Sequence, residues 1–450
     1  MTTRPLRMLV ALLACLAFVA ASCGRDDEAD GGGDGGTDTT APVDGESKPF
    51  INPDEDCADY QGTAGISGDT ITVGTVRPAS GPYAIYDTVT KGIEAYFKAA
   101  NAKGGIEAGD GKKYQVNLLK EDDAYDPSKT PDLVKKLVEQ DNVFALVGDI
   151  GTETNLAVRQ YLNEKCVPNI ALATGSTNWG DAAKYPWYIA GLPSYATEAR
   201  AFLDYLETTK PEAKIAILAQ NDDFGLAYGK AIKQYIADTG SKMTIVGEES
   251  YDPSSGGTTE GATAKLAGTG ADVFFVGIGG TQCSKTLTFI PATWKPMTYV
   301  SITCSGKLSL SLAGGKDEGV YTAQATLDTG SAADQANPKV QQLFTDGRAQ
   351  GLTDAELSGG IVAAGWGFAS IFAEGLKQAD TVDRAGVMNA LFSLDSANFG
   401  LQRDGTTTST DGGDDPWIVE SIRIVQRTGG DWTEVAPMTD YNGKSSSFAG

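Results

Sequence analysis

The chain has 450 residues, with 36 Lys+Arg against 59 Asp+Glu, a formal charge of −23 and no histidine. The missing histidine excludes Ser-His-Asp and Cys-His catalysis and the HExxH zinc site. The acidic balance leaves no basic surface for nucleic acid; the length suggests about three domains or two large ones, and 41% hydrophobic residues can bury a substantial core.

Arg4 and Arg7 open the chain, and Met8 to Ser22 is a mostly apolar run too short to span a bilayer as a helix. Residues 1–22 therefore read as a secretory signal. Val19-Ala20-Ala21-Ser22-Cys23 resembles the lipobox of bacterial lipoproteins, with Ala20 where leucine is usual, so Cys23 is the expected lipidation site. From Gly24 to about Pro49 the chain is rich in Gly, Asp and Thr without apolar periodicity, the composition of a disordered tether. The lipid-anchored tether is expected over residues 23–66.

A regular alternation begins near residue 70. Ile71–Val76 reads as a strand, Asp87–Ala102 as a helix closed by Gly104-Gly105, and Tyr114–Leu119 as a strand. Asp126–Gln140 follows as a helix with an apolar stripe. Asn142–Gly148 is nearly all apolar, the pattern of a strand buried on both faces of a parallel sheet, and Pro168–Ala173 is the next. A second run starts near Glu198, with strands at Lys214–Ala219, Met243–Glu248, Ala271–Gly277 and Met297–Thr303. Its helices begin near Gly225, Thr259 and Thr281. After Tyr321–Ala325 come helices at about Pro338–Gln350, Ser358–Gln378 and Arg384–Leu391, then strands at Ile418–Gln426 and Trp432–Val435. The implied fold class is α/β, with two doubly wound, mainly parallel sheets.

Beyond Cys15 and Cys23, four cysteines remain, none in a CxxC pair, so zinc ribbons and thioredoxin-type motifs are excluded. Four cysteines allow three pairings. Cys283–Cys304 is preferred because both follow neighbouring predicted strands, which leaves Cys57–Cys166 by elimination; unpaired buried thiols are the alternative.

Ligands of open parallel sheets bind beyond the carboxyl ends of the strands. Here those ends are Ser80 to Tyr86, Asp149 to Asn155, Ala173 to Trp179, Gln220 to Gly225, Gly279 to Gln282 and Thr303 to Ser305. They concentrate Gly, Ser, Thr and aromatic residues, which suit a small polar group beside an apolar moiety. Any one such loop is also what turns and caps require; the recurrence carries the binding reading.

Several motifs then occur in order: Ser80-Gly81-Pro82 with Tyr86 beyond; Ala99-Ala100-Asn101-Ala102-Lys103-Gly104-Gly105-Ile106; Glu121-Asp122-Asp123 with Asp126-Pro127; Leu137-Val138-Glu139-Gln140-Asp141; Val147-Gly148; Val167-Pro168-Asn169-Ile170; and Asn221-Asp222-Asp223-Phe224-Gly225. On these, Ile71 to about Ala237 resembles the branched-chain amino acid type of substrate-binding protein of ABC importers, a type I periplasmic binding fold. The resemblance implies two lobes joined by three crossover strands near 189–195, 319–327 and 417–424. Lobe 1 would take residues 67–190 and 327–418, and lobe 2 residues 191–326 and 419–445. It implies hinge closure on a ligand between them. It also implies ligand contacts at Ser80, Tyr83, Tyr86, Gly151, Thr152, Ala173, Thr174, Gly175, Ser176, Phe224, Gly279, Gly280, Thr281 and Cys304. Phe224 stands where the family usually has tyrosine, and no acid stands near Cys304 to meet a ligand ammonium. Asp149 or Asp222 could supply that charge, though loop aspartates are more often caps. An amino acid, an amide, a urea-like compound and a carboxylate therefore all stay open as ligands.

The resemblance further implies an extracytoplasmic protein that delivers its solute to ABC permease subunits and meets the membrane through its N-terminal lipid only. A ligand sensor not coupled to transport is the alternative, with a hydrolase a remoter one. An enzyme is not expected. There is no GxSxG and no Walker A motif, and Gly277-Ile278-Gly279-Gly280 has Gln282 where a dinucleotide fingerprint needs glycine. Asp122/Asp123 and Asp222/Asp223 read as solvated turn residues rather than an acid–base pair. No metal or cofactor is expected.

Overall fold

The computed structural model describes residues 49–448. The expected signal, Cys23 and most of the expected tether lie outside them. Among the described residues fourteen strands build two sheets. The first contains β1 (Ile66–Ser67), β2 (Thr70–Arg77), β3 (Ile106–Glu107), β4 (Lys113–Asp122), β5 (Leu146–Val147), β6 (Asn169–Leu172) and β7 (Tyr188–Ala190). The second contains β8 (Lys214–Gln220), β9 (Thr244–Tyr251), β10 (Val273–Gly277), β11 (Met297–Val300), β12 (Tyr321–Gln324), β13 (Ser421–Thr428) and β14 (Asp431–Asp440).

The first sheet runs β3-β4-β2-β5-β6-β7 with β1 against β2, and the second β14-β13-β12-β11-β10-β8-β9. Pairing is parallel except at β1–β2, β3–β4, β12–β13 and β13–β14. The central strands are fully buried, as in Val273–Gly277, because helices cover both faces. Between β7 and β8, between β12 and the helices that follow it, and again before β13, the chain passes from one sheet to the other. This is a two-lobed type I periplasmic binding fold.

The 361–378 helix returns the late part of the chain to the first lobe, where it packs on the 87–102 helix. The approach is close. A Cβ on Gly365 would sit 1.8 Å from the Val89 carbonyl oxygen, and one on Gly92 would sit 2.1 Å from that of Val362. Only glycine at both positions lets the backbones meet at this spacing.

Three expectations change. Residues 49–66, expected in the tether, are folded onto the first lobe. Ile51 is fully buried, Pro53–Asp56 form a short helix capped by Asn52, and Cys57 is bonded to Cys166. The 126–140 helix starts only at Thr130 and ends in a π-helical turn at Lys136–Gln140, with Asp141 N–H reaching back to the Lys136 carbonyl. The strand expected over 142–148 shrinks to Leu146–Val147. The buried Arg384 guanidinium takes the Phe144 carbonyl at 2.8 Å and the Val143 carbonyl at 2.7 Å, so both face a side chain rather than a strand partner. Burial lowers the pKa of Arg384 to about 10. The second disulfide joins Cys283 to Cys304.

Candidate functional site

A cavity of about 220 Å³ lies between the sheets. Tyr86, Tyr125, Gly151, Thr152 and Ala173 border it from the first lobe, and Tyr195, Phe224, Gly279, Ile302 and Thr303 from the second. Its floor is made by crossover segments at Gly191–Pro193, Ala323–Gly330 and Ile418–Val419, and one wall by the 361–378 helix.

The mouth is shut by direct hydrogen bonds between the lobes. The Tyr83 hydroxyl donates to Gln220 Oε1 at 2.7 Å. Gly280 N–H donates to the Tyr86 phenol oxygen at 2.7 Å, and that hydroxyl donates to the Thr303 carbonyl at 3.3 Å. Asp223 N–H donates to Glu153 Oε1 at 2.7 Å. Tyr83 also stacks on Tyr125, ring centres 4.0 Å apart. Gly280 holds φ +60, and a Cβ there would meet the Tyr83 ring at 2.9 Å. The Gly-Gly step thus fits the close approach of two loops rather than a phosphate.

Of the residues expected to touch a ligand, the structure brings Tyr86, Gly151, Thr152, Ala173, Phe224 and Gly279 together on the cavity. Tyr83 and Gly280 close its mouth instead. Ser80 is exposed, beside the carboxylate of Asp122. Thr174 stands behind the wall, where its hydroxyl meets that of Thr152 at 2.7 Å and accepts from Trp179 Nε1 at 3.4 Å. The Gly175 carbonyl is taken by Tyr195 N–H, and Ser176 caps Asn178. Thr281, in the first turn of the 280–288 helix, does not line the cavity. Cys304 is fully buried in the second lobe's core as a disulfide sulfur, which removes it as a ligand contact.

Nor do the aspartates supply a charge for an ammonium. Asp149 is buried under the first sheet, accepting from Val76 N–H at 2.8 Å and Asn169 Nδ2 at 3.3 Å; burial raises its pKa to about 7. Asp222 caps the 223–239 helix through Gly225 N–H. The sequence reading missed Glu198 as a buried acid. Tyr299 donates to it at 2.7 Å, Tyr228 at 2.8 Å and Ile302 N–H at 2.8 Å. Desolvation raises its pKa to about 7 despite those donors. It braces the segment carrying Ile302 and Thr303 and does not itself line the cavity. Its signal in sequence was an acid in a helix's first turn, indistinguishable from a capping residue. The 361–378 wall was also missed as a site, since its apolar face reads as core.

Two mainly parallel lobes closing over one cavity define a class of solute-binding proteins. The periplasmic binding protein family model matches residues 70–426, and the chain belongs to that family. Among curated relatives, it is 25% identical over 225 residues to a Leu/Ile/Val-binding protein homolog 2 of Brucella abortus, covering 47% of this chain and 55% of that one. The chain thus spans about half the length of the curated relatives it matches. The fold superposes with TM-score 0.73 at 18% identity on a branched-chain amino acid ABC transporter protein of Thermus thermophilus with bound valine, covering 83% and 97% of the two chains. It superposes with TM-score 0.67 at 20% identity on a fatty acid ABC transporter substrate-binding protein of Thermomonospora curvata, covering 85% and 95%. Among the described residues no helix is long and apolar enough to cross a membrane.

Proposed function

We propose that this protein captures a small solute between its lobes outside the cytoplasm and hands it to an ABC permease. Cys23 would carry the lipid that holds it at the membrane. The observation that carries the reading is the cavity closed by the Tyr83–Gln220 and Tyr86–Gly280 bonds. A ligand touching both lobes stabilises that closed arrangement by its differential affinity for it. Relatives named for leucine, isoleucine and valine and for fatty acids support solute binding in general and leave the ligand open.

Native mass spectrometry of freshly purified protein, followed by thermal shift against amino acids, amides, ureas and carboxylates, tests the capture. A true ligand at a hundredfold excess over Kd stabilises by about 2.7 kcal/mol. No co-purified molecule and no shift with any compound would count against it. Cys23→Ser tests the anchor: the variant is expected in the soluble fraction, and retention on membranes would refute lipidation.

A further inference from the structure

The cavity has a polar end and an apolar end. The face of the 361–378 helix from Ile361 through Ala364, Gly367 and Phe368 to Ile371 lines it. That face runs about 15 Å at 1.5 Å per residue, longer than the body of a small amino acid. Gly367 is the telling position. Whereas a Cβ on Gly365 would collide with the neighbouring helix, one on Gly367 meets nothing within 4 Å. The helix presents open space there, and Phe399 and Leu401 line the same cavity.

At the start of this helix the chemistry changes. Gly306 packs against Ile361, and the Lys307 Cδ lies 3.7 Å from where a Cβ on Gly330 would be. Lys307, Thr329 and Gly330 all line the cavity here. The Thr329 hydroxyl is buried with no hydrogen-bond partner. The helix begins at Gly360 without a side-chain cap, so its first N–H groups and positive dipole end lie at the same place. Among the described lining residues there are two cations. Arg427 is paired with Asp317 at 3.3 Å, whereas Lys307, exposed at the cavity edge, has no carboxylate within ion-pair distance among the described residues. The one acid on the lining, Asp328, accepts from its own loop at Gly330 N–H, 2.8 Å. Glu198, Asp149 and Asp222 are each engaged elsewhere. An anion here finds a cation, a hydroxyl and a helix start.

We propose that the cavity takes a carboxylic acid with an extended hydrocarbon chain, its carboxylate beside Lys307 and Thr329 and its chain along Ala364 to Ile371. This rests on the solute-capture reading above and names the class of solute.

Titration calorimetry with butyrate, hexanoate, octanoate, octanamide and leucine tests it. Wild-type affinity for the acids should rise roughly fourfold per methylene, the ratio that burying one CH₂ gives. Gly367→Leu should abolish that rise while leaving the circular dichroism spectrum unchanged. Should that variant fail to fold, Gly367→Ala and the wild-type series still decide the point. Lys307→Gln should weaken octanoate at least tenfold and octanamide by less than twofold. Leucine binding with no gain along the acid series would overturn this proposal and leave solute capture standing. Silence from all five compounds would also overturn it; the broader screen and native mass spectrometry then judge capture separately.

Discussion

The mouth and the interior of the cleft are built from different chemistry. The mouth is tyrosine, glutamine and backbone amide, and its contacts pass from lobe to lobe. The interior is a crossover floor and an apolar helix wall, contributed largely by chain after residue 320. Closure and selectivity are thereby divided. Rim residues are spent on each other, so they report whether the lobes meet. Wall residues face open space, so they report what fits. A substitution in one region should move affinity for every ligand alike, and in the other should move the ranking among ligands.

The largest effect should come from breaking the interior wall at its support. Gly365→Ala drives a methyl into the Val89 carbonyl and should cost about 3 kcal/mol, the upper range for overpacking. The urea midpoint measures this, and an unchanged midpoint would mean the two helices can separate freely.

A middle-sized effect belongs to the mouth. Tyr86→Phe removes the oxygen that accepts from Gly280 and the proton given to Thr303. It should weaken every ligand by the same factor, about tenfold, as expected for one or two net hydrogen bonds. Calorimetry that instead shows a changed ligand ranking would blur the division between rim and wall. Thr152→Ala should act similarly but more weakly, because Thr174 keeps Trp179 as a partner.

The smallest effect is a pH slope in the frame beneath the mouth. Glu198 titrates near 4.5 when unfolded and near 7 when folded, because burial disfavours its charge. Between those values the folded chain holds a proton that the unfolded chain has lost, so stability falls as pH rises from about 4.5 to 7 and levels above it. Asp149 acts in the same direction, and Glu420 is raised as well. Urea midpoints at pH 5 and 7.5 should show the fall, and Glu198→Gln should flatten it in part; a rise would reverse the assignment.

Much of the scaffold was legible because its signals are local. The 87–102 helix begins and ends where the apolar spacing and the following glycines put it. The strand-end rule located the loops and the family resemblance picked out Tyr86, Gly151, Thr152, Ala173, Phe224 and Gly279 within them, and these six line the cavity. The rule locates a loop but not which way a side chain faces. Cys304 lies at the right strand end and points into the core. The interior wall was invisible for another reason. Gly365 and Gly367 look alike in sequence, and only the packing of the 87–102 helix, far upstream, separates the glycine under compression from the one beside empty space. The Val143 and Phe144 carbonyls likewise end on Arg384, far along the chain.

The central claim is that a solute filling the interior draws the rims together. Small-angle X-ray scattering on protein stripped of ligand by unfolding and refolding, before and after adding any compound that raises Tm, tests it most directly. The account predicts a smaller radius of gyration with the compound present, and a weaker contraction in Tyr86→Phe. Superimposable curves with and without a stabilising compound would contradict it.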